Sequence, residues 1–434
     1  SQTCWERPRC VIQPTKALQV SQAMKIISFL RIPFAVRSGG HSPNPGWAGI
    51  DSGILIDLSR MNSMSISKDA KTFTVGPGAR WGKVYEYLDP YNVTAVGGRV
   101  AQVGVGGLLL GGGISYWTGE FGLATDKVAN FEVVLADGSI VNANAQQRSD
   151  LFWALKGGGP NFGIVTKFDL HTIPIKNIWY QLNVHSVDQA PALLEAFAEW
   201  QKSPDNKGSV AMVISLTSIV VGLIYSRPVE KPETFEAFYK ITPLATVVPS
   251  TIGTVQKLNL LGGSSSSAAP APRHDYRGAS SKIDADLYKS VYNVWKGEAT
   301  AAHAATGANM TFVLQHIPKN VVDQGNSNGG NTLGLEPISQ QWWTTLVDWT
   351  DAKNDDVARS VGIATTKKWK ELSTARNLQI PFLYMNDASR DQSPLDTYPA
   401  TNIQRMKTIA AKYDPLRVFQ TLQNDGFLLS KVKQ

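Results

Sequence analysis

The chain has 434 residues, 43% of them hydrophobic and 18% charged, with 37 glycines and 12 tryptophans, a globular composition that excludes intrinsic disorder. That length exceeds one ordinary core and calls for two domains, or one domain with a large insertion. Lys and Arg number 42 against 35 Asp and Glu, a net charge of +7, but they are scattered without a basic block, and no apolar run reaches the roughly eighteen residues of a membrane span, so neither nucleic acid nor a membrane is an expected partner.

The two cysteines, Cys4 and Cys10, fit no four-ligand zinc site, and the residues leave a disulfide and two free thiols equally open. Ser1 stands first, without Met or an apolar leader, which reads as a processed or trimmed chain. With the sequons Asn92-Val93-Thr94 and Asn309-Met310-Thr311, this favours a glycoprotein that is secreted or held in the secretory-pathway lumen.

In chain order, Leu18, Val20, Ala23, Ile26, Ile27 and Leu30 recur at helical spacing and predict a helix over 17–30. A buried strand over 32–36 follows and runs directly into Arg37-Ser38-Gly39-Gly40-His41-Ser42. Strands over 53–58 and 72–75, a Gly76-Pro77-Gly78 turn and a helix over 81–88 come next. The densest glycine stretch covers 97–113. Beyond it, Asp137-Gly138 marks a hairpin between strands 130–135 and 140–143. A short helix over 150–155, a Gly157-Gly158-Gly159-Pro160 turn and an alternating strand over 164–170 close a first unit at Pro174.

From Trp179 the texture changes. Alternating strands over 181–184, 209–216 and 220–225 surround a helix over 190–200, which predicts an antiparallel sheet carrying helices. A Gly/Ser/Ala/Pro-rich stretch over 262–272 reads as a loop, and His274, between Arg273 and Asp275, as part of an exposed charged loop. A strand over 381–386 and a helix over 402–413, stopped at Asp414-Pro415, end the pattern. The predicted fold class is α+β in two domains: 1–175, 176–380 built on the antiparallel sheet, and a C-terminal segment, 381–434, that returns to the first domain.

Glycine lets backbone approach a ligand closely and adopt positive φ, so that amides point at phosphate. Several glycine clusters within one unit imply a large anionic cofactor cradled by several loops. The spacing is not that of a Rossmann fingerprint, because leucines follow Gly104, Gly106 and Gly107 where a third glycine should fall, and no Gly-Lys-Ser/Thr occurs.

Arg37-Ser38-Gly39-Gly40-His41-Ser42, followed in order by Val75-Gly76-Pro77-Gly78-Ala79, the glycine block 103–113, Gly122-Leu123-Ala124-Thr125-Asp126, the stretch 150–163, Tyr384-Met385-Asn386 and Lys412-Tyr413-Asp414-Pro415 with Val418-Phe419, resembles the vanillyl-alcohol-oxidase (PCMH-type) flavoprotein superfamily. The resemblance is to its berberine-bridge-enzyme-like branch, in the form found in fungal secondary metabolism, and covers nearly the whole chain. It implies FAD, held by Arg37, Ser38, Gly39, Gly40, Ser42, Val103, Gly104, Gly106, Gly107, Gly113, Gly163, Ile164, Val165, Tyr384 and Asn386, and bonded covalently to His41. Many relatives add a cysteinyl bond; here Val100 falls on that position, so the resemblance implies a flavin tethered through His41 only, and the missing bond disfavours an oligosaccharide substrate. Val103 matches the position that governs oxygen access to the flavin, and its small side chain resembles oxidases.

Removing hydride from an alcohol carbon needs a base for the hydroxyl proton. Tyr384 matches the tyrosine that resembles this base in the family; the residues equally allow a tyrosine that packs on the flavin ring. Gln315, on a strand over 311–318, stands where some relatives carry a glutamate base and would position substrate, while Tyr116 and Trp117 line the pocket or pack the core. The expected activity is an FAD-dependent oxidase acting on a small organic substrate with O2 reduced to H2O2, working as a monomer. An oxidative or redox-neutral cyclase and a non-catalytic flavin-loaded binding protein are the alternatives.

Overall fold

The computed structural model describes residues 2–203, 205–262 and 273–433, so nearly all of the predicted 262–272 loop lies outside the described residues. Three sheets organise it. In the first, β1 (Cys10–Ile12), β2 (Phe34–Arg37) and β3 (Ile54–Asp57) run parallel in the order β1-β3-β2. Helix α1 (Ala17–Leu30) lies on this sheet, with Val20, Met24 and Ile27 packed on Phe34 and Ile56. The C-terminal residues Val418, Phe419 and Leu422 join the same cluster, and Phe34 exchanges backbone hydrogen bonds with Leu422 and Asn424 at 2.9 and 2.7 Å.

The second sheet is five-stranded and antiparallel: β4 (Met64–Ile66), β5 (Thr72–Val75), β6 (Val128–Val134), β7 (Ile140–Asn144) and β8 (Ile164–His171), in the order β4-β5-β8-β6-β7. The Asp137-Gly138 turn joins β6 to β7, with Gly138 at φ +79°, a conformation that favours glycine. Helix α2 (Trp81–Leu88) buries Trp81, Val84, Tyr85 and Leu88 in the core beside this sheet.

The third sheet has eight strands: β9 (Asn177–His185), β10 (Gly208–Ile214), β11 (Ile219–Tyr225), β12 (Ala245–Thr254), β13 (Arg273–Ser281), β14 (Asn309–Met310), β15 (Phe312–Ile317) and β16 (Gln340–Trp349). Its order is β12-β9-β11-β10-β15-β16-β13, with β14 pairing β16. Successive side chains point to opposite faces of a strand. Phe312 and Leu314 of β15 and Trp343 of β16 therefore join one core with the helices Ala190–Trp200, Ala285–Thr306 and Asp355–Ala375. Gln315, Ile317 and Trp342 face the other way, and Ile317 and Trp342 belong to the core that includes β5, β6 and β8. This alternation aims Gln315 at the first unit.

Two local expectations change. Residues 381–386 form no strand: Leu383 N–H donates to the Thr397 hydroxyl at 3.0 Å rather than to a neighbouring strand, Pro381 has no N–H to give, and the segment ends in a 3-10 turn, Met385–Asp387. His274 is in no exposed loop: it sits within β13, opposite Asp348 of β16, and its Nδ1 is hydrogen-bonded to that carboxylate. The charges around it hide the strand because the fold matches them, Arg273 with Asp355 and the buried Asp275 with Arg359.

Candidate active site

Arg37 ends β2 and donates from Nη2 to Asp57 Oδ2 at 2.9 Å on the adjacent β3, which fixes where the following loop begins. Burial acts to raise the Asp57 carboxyl, but hydrogen bonds from Arg37 and Ser59 outweigh it and hold the group below its ordinary value. Ser38 Oγ donates to the Pro77 carbonyl at 2.5 Å. Gly39 then lies directly against Gly104, just before helix α3 (Val105–Leu110): a Cβ on either would come within 2.5 Å of the other's Cα. Gly106 packs on Ser38, Gly40 turns the chain at φ +59°, and Gly107 borders open space.

Two loops thus meet backbone to backbone. Among the described residues, the N–H groups of Gly39, Gly40, His41 and Ser42 donate to no protein acceptor. The Arg80 side chain passes alongside, its Nη1 donating to the Gln102 carbonyl at 2.6 Å. Consecutive unpaired amides, a nearby cation and a rim without side chains form an anion-binding concavity. The residues fit a cofactor with a diphosphate, as FAD has.

His41 stands on the wall of this hollow, with more than a third of its surface open. Its Nε2 lies 3.3 Å from the Tyr276 hydroxyl of β13. Desolvation of the part of the ring that faces protein, then the charges of Arg80 and His274, bring the imidazole down to about 4, so the ring is neutral near neutral pH. The N-terminal residues cover the loop: Thr3 Oγ1 donates to the Pro43 carbonyl at 3.1 Å and Cys4 Sγ to the Ser42 carbonyl at 3.5 Å. Cys4 and Cys10 are both free thiols, and burial pushes the Cys4 thiol up. Val100 is exposed.

Tyr384 is buried, stacked on Trp342 with ring centroids 5.0 Å apart. Its hydroxyl oxygen accepts from Gly113 N–H at 2.9 Å and from Asn386 Nδ2 at 3.0 Å. Asn386 also donates to the Leu108 carbonyl at 3.1 Å and abuts Gly111, which ties the tyrosine to α3 and the turn after it. Burial and the charge of Asp387 push the phenol up, while the two N–H donors and Arg99 act the other way.

Gln315, buried on β15, is a bridge. Its Oε1 accepts from Arg99 Nη2, and its Nε2 donates to Asp387 Oδ2 at 2.6 Å. Burial raises the Asp387 carboxyl; Gln315 and Arg99 oppose this. Arg99, Tyr116, Gln315, Trp200, Asp205 and His316 line one cleft between the glycine loop and the third sheet.

The structure therefore brings Arg37, Ser38, Gly39, Gly40, His41, Ser42, Gly104 and Gly106 into one cradle, and joins Tyr384, Asn386 and Gly113 in one network. Tyr116 and Gln315 share the cleft, whereas Trp117 is a core residue. Val103 is half-buried ahead of α3. Gly163 packs on Val133 and Val134, and Ile164 and Val165 are buried in β8. Arg99 and Asp387 are additions that no motif flagged; the signals available were an arginine amid glycines and a carboxylate three residues after Tyr384.

Residues 8–144 match the family model described as an FAD binding domain. An FAD-dependent monooxygenase of Arthrobotrys oligospora is 38% identical over 435 residues, 99% of this chain and 84% of the relative. The bifunctional solanapyrone synthase of Alternaria solani is 32% identical over 439 residues, 99% of this chain and 83% of the relative. Among solved structures, glucooligosaccharide oxidase from Acremonium strictum, which carries a 6-S-cysteinyl, 8α-N1-histidyl FAD, matches with a TM-score of 0.82 at 20% identity, over 98% of this chain and 93% of that one. The 6-hydroxy-D-nicotine oxidase of Arthrobacter nicotinovorans matches at 0.81 and 20% identity, over 97% and 92%. At such identities these two structures speak to the fold.

Proposed function

The chain belongs to the FAD-linked oxidoreductases of the vanillyl-alcohol-oxidase superfamily, in its berberine-bridge-enzyme-like branch, and on that footing we propose that it is an oxidase, removing hydride from a hydroxyl-bearing or activated carbon of a small secondary-metabolite-like molecule while O2 becomes H2O2. FAD, when bound, supplies the hydride acceptor. The residues of the two glycine loops would hold it, Gly39, Gly40 and Ser42 by backbone N–H groups that donate to no acceptor among the described residues and His41 as its single covalent tether. Val103 leaves room for oxygen.

The observation that carries the reading is the Tyr384 hydroxyl, fixed by two N–H donors to its oxygen. Both stabilise negative charge there, as does Arg99, against burial and the Asp387 charge, which together keep the phenol above its ordinary value until substrate and cofactor change its surroundings. Tyr384 takes the substrate hydroxyl proton, Asn386 holds the phenol in place, and Gln315 and Tyr116 orient the substrate in the cleft. In this reading residues 1–175 with 381–434 bind FAD and 176–380 bind substrate. Asn92 and Asn309 are exposed, which suits glycosylation of a secreted chain.

A second reading, supported by the name of the solanapyrone synthase relative, keeps the hydride removal and adds ring closure. Product mass and isomer analysis under 18O2 separates the outcomes. Loss of two hydrogens with label only in peroxide supports the simple oxidase, loss with a new ring supports the cyclase, and label in the product points to the monooxygenation for which other relatives are named.

A further inference from the structure

We propose that Arg99 binds an oxyanion of the substrate, an ionised carboxylate or enolate oxygen, so that the molecules this enzyme oxidises are acids or acidic enols. The proposal rests on the cleft being the substrate site.

Arg99 lies between the Gly97-Gly98 pair and α3. Its backbone is anchored where its carbonyl accepts from Asn259 Nδ2 at 3.3 Å, and its side chain lines the cleft beside Tyr116 and Gln315. One of its five N–H donors goes to Gln315 Oε1, a neutral amide. Among the described residues no carboxylate lies within 4.0 Å of this guanidinium. Four arginines around the third sheet are matched by carboxylates, Arg227 by Glu120, Arg273 by Asp355, Arg277 by Asp391, and Arg359 by Asp275 and Asp391, whereas Arg390 shares with Arg99 the lack of an ion pair among the described residues but does not line the cleft. The carboxylates nearest to the role are committed elsewhere. Asp205, also in the cleft, accepts from Tyr225 at 2.9 Å and pairs with Lys207 at 3.6 Å. Asp387 is held off by the intervening Gln315 amide, and its burial weakens its tendency to ionise.

A half-buried cation paired with an amide carries a desolvation cost that a counter-charge offsets. The cleft offers the place for one, and a planar guanidinium suits a carboxylate or enolate better than a neutral hydroxyl. Tyr116 lines the same cleft, so an oxyanion bound at Arg99 is held beside that tyrosine.

The test titrates flavin-loaded holoenzyme with benzoate and, separately, with benzyl alcohol, following the flavin absorbance and the thermal unfolding temperature. Wild type should bind benzoate at least tenfold more tightly than benzyl alcohol. Arg99→Gln should erase that preference, and Arg99→Lys, which keeps the charge without the fork, should retain part of it. Equal binding of the two probes by wild type, or a preference unchanged in Arg99→Gln, overturns the oxyanion proposal and leaves the cleft reading standing. If neither probe perturbs the flavin or raises the unfolding temperature, the cleft itself is not the substrate site and both fall.

Discussion

Gly113 donates its backbone N–H to the phenolic oxygen of Tyr384 at 2.9 Å, joining positions 271 residues apart in sequence. With Asn386 Nδ2 as a second donor, the oxygen is held from two directions and the ring is held by Trp342. Replacing Tyr384 with Phe removes the oxygen and keeps the stack. The expected result is flavin reduction slowed by about two to four orders of magnitude, the usual contribution of a positioned proton acceptor. Stopped-flow reduction measures it, and an unchanged rate assigns Tyr384 to packing alone.

Gly39 and Gly104 test the cradle. Alanine at either places a Cβ within 2.5 Å of the opposing Cα, so the two loops must separate. Overpacking of this kind costs about 1–3 kcal/mol. Gly39→Ala should lower both denaturant stability and flavin content per chain. Gly107→Ala, next to open space, should fold as wild type does, since its Cβ meets no atom outside its own helix and chain neighbours within 4 Å.

Gln315→Leu should cost stability out of proportion to its size. It leaves Asp387 without the 2.6 Å donor and Arg99 without its acceptor. An unsatisfied buried polar group costs about 1–3 kcal/mol. Urea denaturation gives the figure; the double variant Gln315→Leu, Asp387→Asn should recover part of the loss, because the orphaned group is then neutral. No recovery would mean the bridge is not what Gln315 supplies.

Much of the first unit is legible in the sequence because its strands and helices bury most of the residues that set their periodicity. Phe73 and Val75 of β5 and Val20, Ala23 and Ile27 of α1 are buried where the pattern puts them, whereas Leu18, Ile26 and Leu30 of the same helix pattern are exposed. Strand β13 is not legible, since Arg273, Asp275 and Arg277 break its alternation and only their partners on distant elements neutralise them. The helix Asp355–Ala375 buries Ala358, Gly362, Thr365 and Ser373 beside Val361 and Trp369, so small residues fill the face that a pattern search expects to be apolar. The site divides in the same way. His41 and the glycine loops announce themselves locally, whereas Arg99, Gln315 and Asp387 become a unit only when β15 and the 3-10 turn Met385–Asp387 fold against residues 97–99.

The low His41 value has a sign that kinetics can read. A ring with a value of about 4 is almost wholly neutral at pH 5.5, while an ordinary histidine near 6.5 is about nine-tenths protonated there. Raising the pH from 5.5 to 8 should therefore change the rate of covalent FAD attachment to apoprotein by less than about twofold. A rise of about tenfold would mean that His41 titrates as an ordinary exposed histidine.

FAD in the two-loop cradle, bonded to His41, is what the proposed activity requires. The most direct test is the visible spectrum of the purified protein before and after acid precipitation, alongside His41→Ala. The account predicts a flavin spectrum that stays with the wild-type pellet and moves to the supernatant in the variant. A yellow supernatant from wild type would contradict the tether, and a colourless wild-type protein that takes up no added FAD would contradict the cradle itself.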